Sequence, residues 1–576
     1  MSLTSLHLFS EPYGSTGNMG ENSSRLLGAP TLDPLQTVIR ESLQNIADAA
    51  RLGIGPEIQI RLRRLTAHQK AVLASRVLGD LPTAPGSRDG LVALLSQERP
   101  VVMEICDFRT VGLGGPTRAD SIPIDTKQTE FINFVRNIGA ARDVDLGGGT
   151  YGFGKVALYR ASRCSTVIID TLPHDSGPEG RRLIGCHIGP SFDVPQNGIC
   201  RRFTGRHWWG IPDPADGIVD PLSGHGAAEM ASALGFLPRD MNRTGTSIMI
   251  LDFETDEEDL STIGNRIVET ILYNFWPRLM KDTPAERRFD CRVEVEGVAI
   301  EIPAPEDFPP LDLFTKAMRA ARAGKGNSVR RISSQRPARE LGTLAIEKGL
   351  RAPRRPLLPA EDSLFSPVAK HIALMRPVEL VVKYLEGSAL PDERLEWAGV
   401  FIASDEHEVE RAFADSEPPA HDDWIPDNLP KGPGKTFVNV ALRELRSHAS
   451  QQGESAMGRP SNSLSGPPLA RLAGRLGAAL EGVAGDGAGR KRKSTGSSGS
   501  RPIRARATPP LFVRLETTEL GRVAVFSTVV RQDSRHSGAM LTSAAAVAIE
   551  GSTANQLDAD LQPSILSIRS TDGVRA

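Results

Sequence analysis

The stretch RESLQNIADAA sets Glu41, Asn45 and Asp48 four and three residues apart, so on a helix their side chains project from one face. Three polar groups then line a single stripe, although an ordinary solvated helix face carries the same spacing. Further along, the apolar run VVMEICD ends in Asp107 and is followed by Gly112, Gly114 and Gly115 in DFRTVGLGG. A carboxylate at a strand end can accept a hydrogen bond from an exocyclic amine, and glycines let the backbone approach a ring or ribose closely. A plain turn uses the same residue types. The third cluster, LGGGTYGFGK, contains Gly147, Gly148, Gly149, Thr150, Tyr151, Gly152, Phe153 and Gly154 and ends at Lys155, just before an apolar helical pattern. A glycine-rich loop at a helix N-terminus presents free N–H groups and the positive end of the dipole to phosphate, and Lys155 adds a point charge. A flexible loop leading into an ordinary helix looks alike. Last, Gly245-Thr246 opens an apolar strand pattern and offers a hydroxyl at a sheet edge.

The elements that must position these groups follow from periodicity. Asp33 as N-cap and Pro34 at the first helical position open a helix running to about Arg51. EIQIRLRRL alternates Ile58, Ile60 and Leu62 against polar neighbours and predicts a half-buried strand, followed by a helix over 66–78. Val101 to Asp107 reads as a buried strand, and helices are predicted near 127–138 and over 155–162. Strands follow at 166–171, at 183–188 and from Gly245, then a helix over 263–279. CRVEVEGVAIEI predicts a hairpin turning at Glu296-Gly297, taken as the opening of a second domain. Strands at 378–384 and 397–404 and a helix over 436–448 extend that domain.

Composition bounds the rest. A chain of 576 residues exceeds one hydrophobic core, and 39% hydrophobic with 24% charged residues is ordinary for folded protein. The net charge of -2 draws the whole chain neither to nucleic acid nor to anionic membrane, so any such contact needs a local patch. The five cysteines are widely spaced without a C-x-x-C pair, which fits a reducing compartment and argues against a zinc ribbon. MSLTSLHLFSEPYGS has neither the basic start nor the apolar run of a signal peptide, and no window approaches membrane-spanning length. A soluble, cytoplasmic protein without membrane contact is the expectation. Residues 451–509 turn to Gly, Ser, Pro and Ala around the basic string Arg490 to Lys493, with Arg501, Arg504 and Arg506 beyond it. This predicts a linker. His207 in GRHWWG has no second His or Cys at metal-ligand spacing and is assigned no role. Gly434-Lys435-Thr436 lacks the first glycine of a P-loop, Leu429 standing in its place.

Taken in order, the four clusters resemble the GHKL ATPases, the group of gyrase, the large heat-shock chaperone, MutL-type and microrchidia-type proteins and the histidine kinases. Glu41, Asn45, Asp48 and Ala49 match the first family motif, E-x-x-x-N-x-x-D-A. Asp107 with Gly112 and Gly114 matches D-x-G-x-G, GGGTYGFG the lid motif, and Gly245-Thr246 the last. Between Asp107 and Gly112 this chain carries FRTV where the family usually has one residue.

The resemblance implies an α+β fold: a Bergerat-type α/β sandwich ATPase domain over 31–285, a mixed sheet with helices on one face, after an N-terminal arm over 1–30. A second, transducer-like α/β domain over 286–450, the linker and a small C-terminal β module over 510–576 complete the chain. It implies Mg²⁺ and ATP as cofactors. Glu41 is then the general base for the attacking water, Asn45 the Mg²⁺ ligand, Asp107 the acceptor for the adenine amine with Thr246 assisting, and Asp48 a holder of helix and lid. Gly147 to Gly154 close over the phosphates, and Lys155 helps to neutralise them. A basic residue from the second domain reaches the site in several members; Arg376, Lys383, Lys431 and Lys435 are the candidates here.

ATP-driven closure or homodimerisation on DNA or RNA, in genome maintenance or phage defence, is the leading function. A chaperone-like motor acting on protein and a non-hydrolysing ATP switch share the same site. The Arg490–Arg506 string favours nucleic acid, because clustered Lys and Arg neutralise phosphates without reading sequence. Changing Arg490, Lys491, Arg492 and Lys493 to Ala is predicted to flatten the salt dependence of DNA or RNA binding while leaving ATP turnover intact. A salt titration of both proteins checks it, and absence of salt-dependent binding by the wild type removes the role.

Overall fold

Strict alternation along two adjacent strands decides how the layers stack. In the computed structural model of the protein, β1 (His7–Pro12) and α1 (Pro34–Asp48) precede β2 (Glu57–Arg64), α2 (Ala67–Val72), α3 (Pro85–Ser96) and β3 (Val101–Phe108). Residues 3–15, 33–50, 53–137, 153–196, 198–255, 259–418 and 420–454 are described, with six short strands between Arg506 and Thr553. On β2 and β3, Ile58, Ile60, Leu62, Met103 and Ile105 turn one way, into a core shared with Leu35, Val38, Ile39, Leu43 and Ile46 of α1. Val102 turns the other way, into a second core with Val72, Leu73, Leu91 and Leu94.

Helices therefore cover both faces of this sheet, where one covered face was expected. The second face also carries Glu104, fully buried and held by Arg61 Nη1 at 2.7 Å and Arg63 Nη2 at 2.5 Å. Charged residues at alternate positions make such a strand look solvent-facing in sequence, when here they neutralise one another under a helical layer.

The chain continues through α4 (Phe153–Arg160), β4 (Thr166–Leu172), β5 (Arg182–Ile188), β6 (Phe192–Gln196) and β7 (Ile199–Pro212). After β8 (Val219–Asp220) and β9 (Leu222–Ser223) come α5 (Gly224–Leu234), β10 (Gly245–Leu251), α6 (Leu260–Leu279), β11 (Asp290–Val295) and β12 (Val298–Ile300). These strands form one 12-stranded mixed sheet with the central order β1-β7-β5-β4-β10-β3-β2-β11-β12. The hairpin at Glu296-Gly297 forms as predicted, with both turn residues at positive φ, 49° and 83°. Yet β11 pairs in parallel with β2, so the hairpin closes the edge of the first sheet. Local pattern reveals a hairpin, but not which distant strand it meets.

Beyond it lie α7 (Leu311–Ala323), β13 (Val329–Gln335), β14 (Ala338–Leu350), β15 (Lys370–Met375), β16 (Val381–Glu386), β17 (Leu395–Ala403), α8 (His407–Ser416) and α9 (Pro433–Glu454). Their five strands form a second sheet, β13-β14-β17-β15-β16, in which β15 and β17 are parallel. Leu311, Phe314, Ala317 and Met318 of α7 pack with Ala345, Ala373 and Val400 in the same core that α1 enters, so apolar packing runs unbroken from the first sheet to the second. The far face packs Val409, Phe413, Phe437 and Leu445 of α8 and α9 against Leu344 and Phe401.

Three local expectations change. The helix near 127–138 is a single π-turn over Ile132–Arg136, and the helix over 66–78 passes from α2 into a π-turn over Leu73–Val77. Asp33 stands at the N-cap without capping by its side chain, which instead meets Arg266 at 2.8 Å. The chain divides into two compact units, Met1–Asn462 and Ser463–Ala576. In the second, Leu511–Thr518 and Gly521–Ser527 form an antiparallel hairpin. Arg490 to Lys493, Arg501 and Arg504 lie outside the described residues. Among the described residues no helix is long and apolar enough to cross a membrane.

His207, given no role from sequence, is a core residue. Its ring lies 5.3 Å from that of His187 on the neighbouring strand, with Ser10 Oγ at 2.8 Å from His207 Nδ1 and Ser87 Oγ at 2.8 Å from His187 Nε2. Burial pushes His187 down to about 4 and His207 to about 3, so both rings are neutral near pH 7. An unfolded chain takes up these protons near pH 6.5 while the folded one refuses them. Stability is thus fully present above about pH 6.5 and is lost as the pH falls towards 4 and 3, by on the order of 3 kcal/mol for His187 alone. Urea unfolding at pH 7 and pH 4.5 should show this loss, and His207→Gln should reduce it.

Candidate functional site

Helix α1 grades from buried to exposed along the predicted stripe. Glu41 is buried, Asn45 half-buried and Asp48 exposed, on a helix that lays Leu35, Val38, Ile39, Leu43 and Ile46 on the sheet. Just past its last turn the helix is stitched to the segment leaving β3. Val111 N–H donates to Ala49 O at 3.0 Å, and Ala50 forms a β-bridge with Thr110. Thr110 in turn donates its hydroxyl to Asp107 Oδ1. The first two predicted clusters, about sixty residues apart in sequence, thus meet at one end of the sheet.

Asp107 sits near the C-terminal end of β3, paired with Ile58 on one side and flanked by β10 on the other. Its Oδ1 also accepts from Thr246 N–H at 3.1 Å, and Thr246 Oγ1 lies 3.0 Å from Thr171 Oγ1. Both described hydrogen bonds go to Oδ1, which orients the carboxylate and leaves Oδ2 as acceptor capacity. Burial raises the Asp107 pKa, opposed by Arg239 and by the bonds from Thr110 and Thr246. Gly245 is what lets β10 come so near: at φ +141°, a Cβ there would stand 2.4 Å from Asp107 Oδ1.

The other predicted residues fall in different places. A Cβ on Gly112 would come within 2.7 Å of Leu172 O, and one on Gly114 within 2.9 Å of Gln128 Oε1, so these glycines serve close approach of the chain to itself. Gly147, Gly148, Gly149, Thr150, Tyr151 and Gly152 lie outside the described residues, whereas Phe153 and Gly154 begin α4. Lys155 is buried, and its ammonium donates to the carbonyls of Asn133 and Asn137, the latter at 3.3 Å. Its described bonds therefore run to the backbone of the π-turn segment, away from Asp107 and Glu41.

Sequence reasoning passed over two arginines. Arg239 donates to Asp107 O at 2.8 Å and Ser247 Oγ at 2.6 Å and stacks 4.4 Å from the Phe108 ring, bracing the strand end that carries the acceptor. Arg40, beside Glu41, is buried and donates to Asn274 Oδ1 at 2.7 Å, Val382 O at 3.2 Å and His421 O at 2.5 Å. No sequence signal marks a buried arginine, since its acceptors come from three remote segments. Glu41 has its pKa raised by burial, a shift opposed by the charges of His421 and Arg40.

Of the second-sheet bases, Arg376 is buried between Glu410, which accepts from its Nε at 2.9 Å, and Glu417 at 3.5 Å. Asp48 is among the charges that raise the Arg376 pKa. Lys383 pairs with Asp423 at 2.5 Å and Lys435 with Asp427 at 2.8 Å, while Lys431 is exposed.

No family model matches this sequence, and no curated protein matches it. The site thus rests on its own geometry. Gly245→Ala is predicted to force Asp107 out of its bonds with Thr110 and Thr246 and to destabilise the first unit by about 1–3 kcal/mol. A lowered denaturant midpoint checks it, and an unchanged midpoint refutes the crowding at Asp107.

Proposed function

We propose that the protein binds Mg-ATP and hydrolyses it at the end of the first sheet, in the manner of the GHKL ATPases. The observation that supports this best is the stitching of the end of α1 to the segment leaving β3, which joins the helix bearing Glu41 and Asn45 to the strand end bearing Asp107. Asp107 Oδ2 accepts the adenine amino hydrogen, as Oδ1 is already occupied by Thr246 and Thr110. Glu41 orients and deprotonates the attacking water, and its burial makes it a stronger base when ionised. The mixed sheet with α1, α4 and α6 on one face is compatible with a Bergerat-type sandwich, and the second sheet with a transducer-like domain.

The metal fits this donor set in a particular way. Among the described residues no group of three His, Cys, Asp or Glu side chains could hold a cation. Mg²⁺ would take most of its oxygens from phosphate and water, and the half-buried amide of Asn45 would supply one, which suits an ion that dehydrates reluctantly. ATP then drives closure or homodimerisation around a nucleic acid.

Glu41→Ala should lower ATP turnover by about 100-fold or more while leaving nucleotide affinity within about threefold. Asn45→Ala and Asp107→Asn should instead weaken binding, by about tenfold each, through the metal and the adenine. Phosphate release and nucleotide titration measure these effects. Turnover in Glu41→Ala equal to wild type refutes the hydrolytic role, and unchanged affinity in the other two removes theirs.

A further inference from the structure

The turn between α8 and α9 comes back to helix α1 at the position next to Glu41. It carries Glu417, His421 at a left-handed φ of 51°, Asp422, Asp423 and Trp424. Arg40 grips this turn through His421 O and grips β16 through Val382 O, using the same terminal nitrogen. The imidazole is fixed as well: Nδ1 lies 2.7 Å from Glu417 Oε2, with side chains only 7% and 2% exposed. Glu417 is held in its turn by Arg376 at 3.5 Å and by Trp424 Nε1 at 3.3 Å, and Arg376 is anchored to Glu410 on α8. A buried chain of polar contacts thus runs from the second sheet's helical layer to the helix of the proposed base.

We propose that His421 is a positioning residue for hydrolysis: bonded to Arg40 through its carbonyl and to Glu417 through its ring, it sets the orientation of α1 at Glu41 from the second sheet. This rests on the reading of Glu41 as general base. Its effect on turnover runs through Arg40 and α1 to the glutamate. Glu417 Oε2 accepts from Nδ1–H, so the ring cannot rotate without breaking a buried bond. Movement of the second sheet relative to α1 then changes turnover without new contacts to ATP.

The test uses the full chain and three proteins: wild type, His421→Ala and His421→Asn. An asparagine amide can still donate to Glu417 in place of Nδ1–H, so it preserves the turn but lacks the ring. His421→Ala should lose turnover number by on the order of tenfold or more, with KM and ATP affinity within about twofold of wild type, and His421→Asn should recover turnover to within about threefold of wild type. Wild-type turnover in His421→Ala, a loss confined to KM, or failure of Asn to recover turnover each overturns the proposal and leaves His421 as a structural link. If the Ala variant fails to fold, His421→Leu, which fills the space without a donor, takes its place under the same criteria. Glu41→Ala run alongside separates the two readings. If Glu41→Ala is inactive and both His421 variants are normal, only this inference falls; if wild type and Glu41→Ala do not differ, both fall.

Discussion

A guanidinium taken out of water must find acceptors along its plane, and Arg40 finds three on three different elements. It lies beneath helix α1, bonded to an amide oxygen on α6, a carbonyl on β16 and a carbonyl in the α8–α9 turn. Desolvation lowers its pKa, and nearby carboxylates, Glu41 foremost, oppose the shift. Breaking one of these bonds leaves a buried charge short of partners, which costs far more than the bond contributes in water. The helix that bears Glu41, Asn45 and Asp48 is therefore tied to the second sheet as well as packed on the first.

The same economy of buried charge governs the other end of the site. Asp170 takes two bonds from Arg181, at 2.8 and 2.9 Å, and lies 3.5 Å from Arg239 Nε, while Arg239 supports the backbone of Asp107. Glu104, one pleat behind, is neutralised by Arg61 and Arg63. β3 thus carries two acids with opposite fates. Glu104 is enclosed by guanidiniums as structure, whereas Asp107 has one oxygen tied to hydroxyl and amide donors and the other outside those bonds. That difference, more than burial itself, distinguishes the residue proposed to act from the residue that holds the fold.

Continuity of the apolar core gives the proposed chemistry a mechanical setting. Helices α1 and α6 pack on the first sheet and α7 packs on the second, all within one cluster of buried side chains. Packed interiors transmit displacement because they have little free volume. Helix α1 and the turn that carries His421 are joined in addition by the hydrogen bond from Arg40 to the His421 carbonyl. The proposed closure has a route to the base that does not depend on the glycine-rich segment.

Sequence by itself determined the elements whose signal is local. The alternation of Ile58, Ile60 and Leu62, the buried run ending at Asp107, the Glu296-Gly297 turn and the helix bearing Glu41 were legible because side-chain periodicity and turn chemistry act over a few residues. The resemblance grouped Asp107 with Thr246, but the bond from Thr246 N–H to Asp107 Oδ1 depends on the seating of β10 beside β3, and register between distant strands leaves no local trace. For the same reason the parallel seat of β11 beside β2 and the second covered face were decided only in three dimensions. Arg40, Arg239 and His421 look like ordinary surface residues in the chain. They became buried because their partners arrive from segments far away in sequence, and the need to satisfy a desolvated charge is a property of the assembled interior alone.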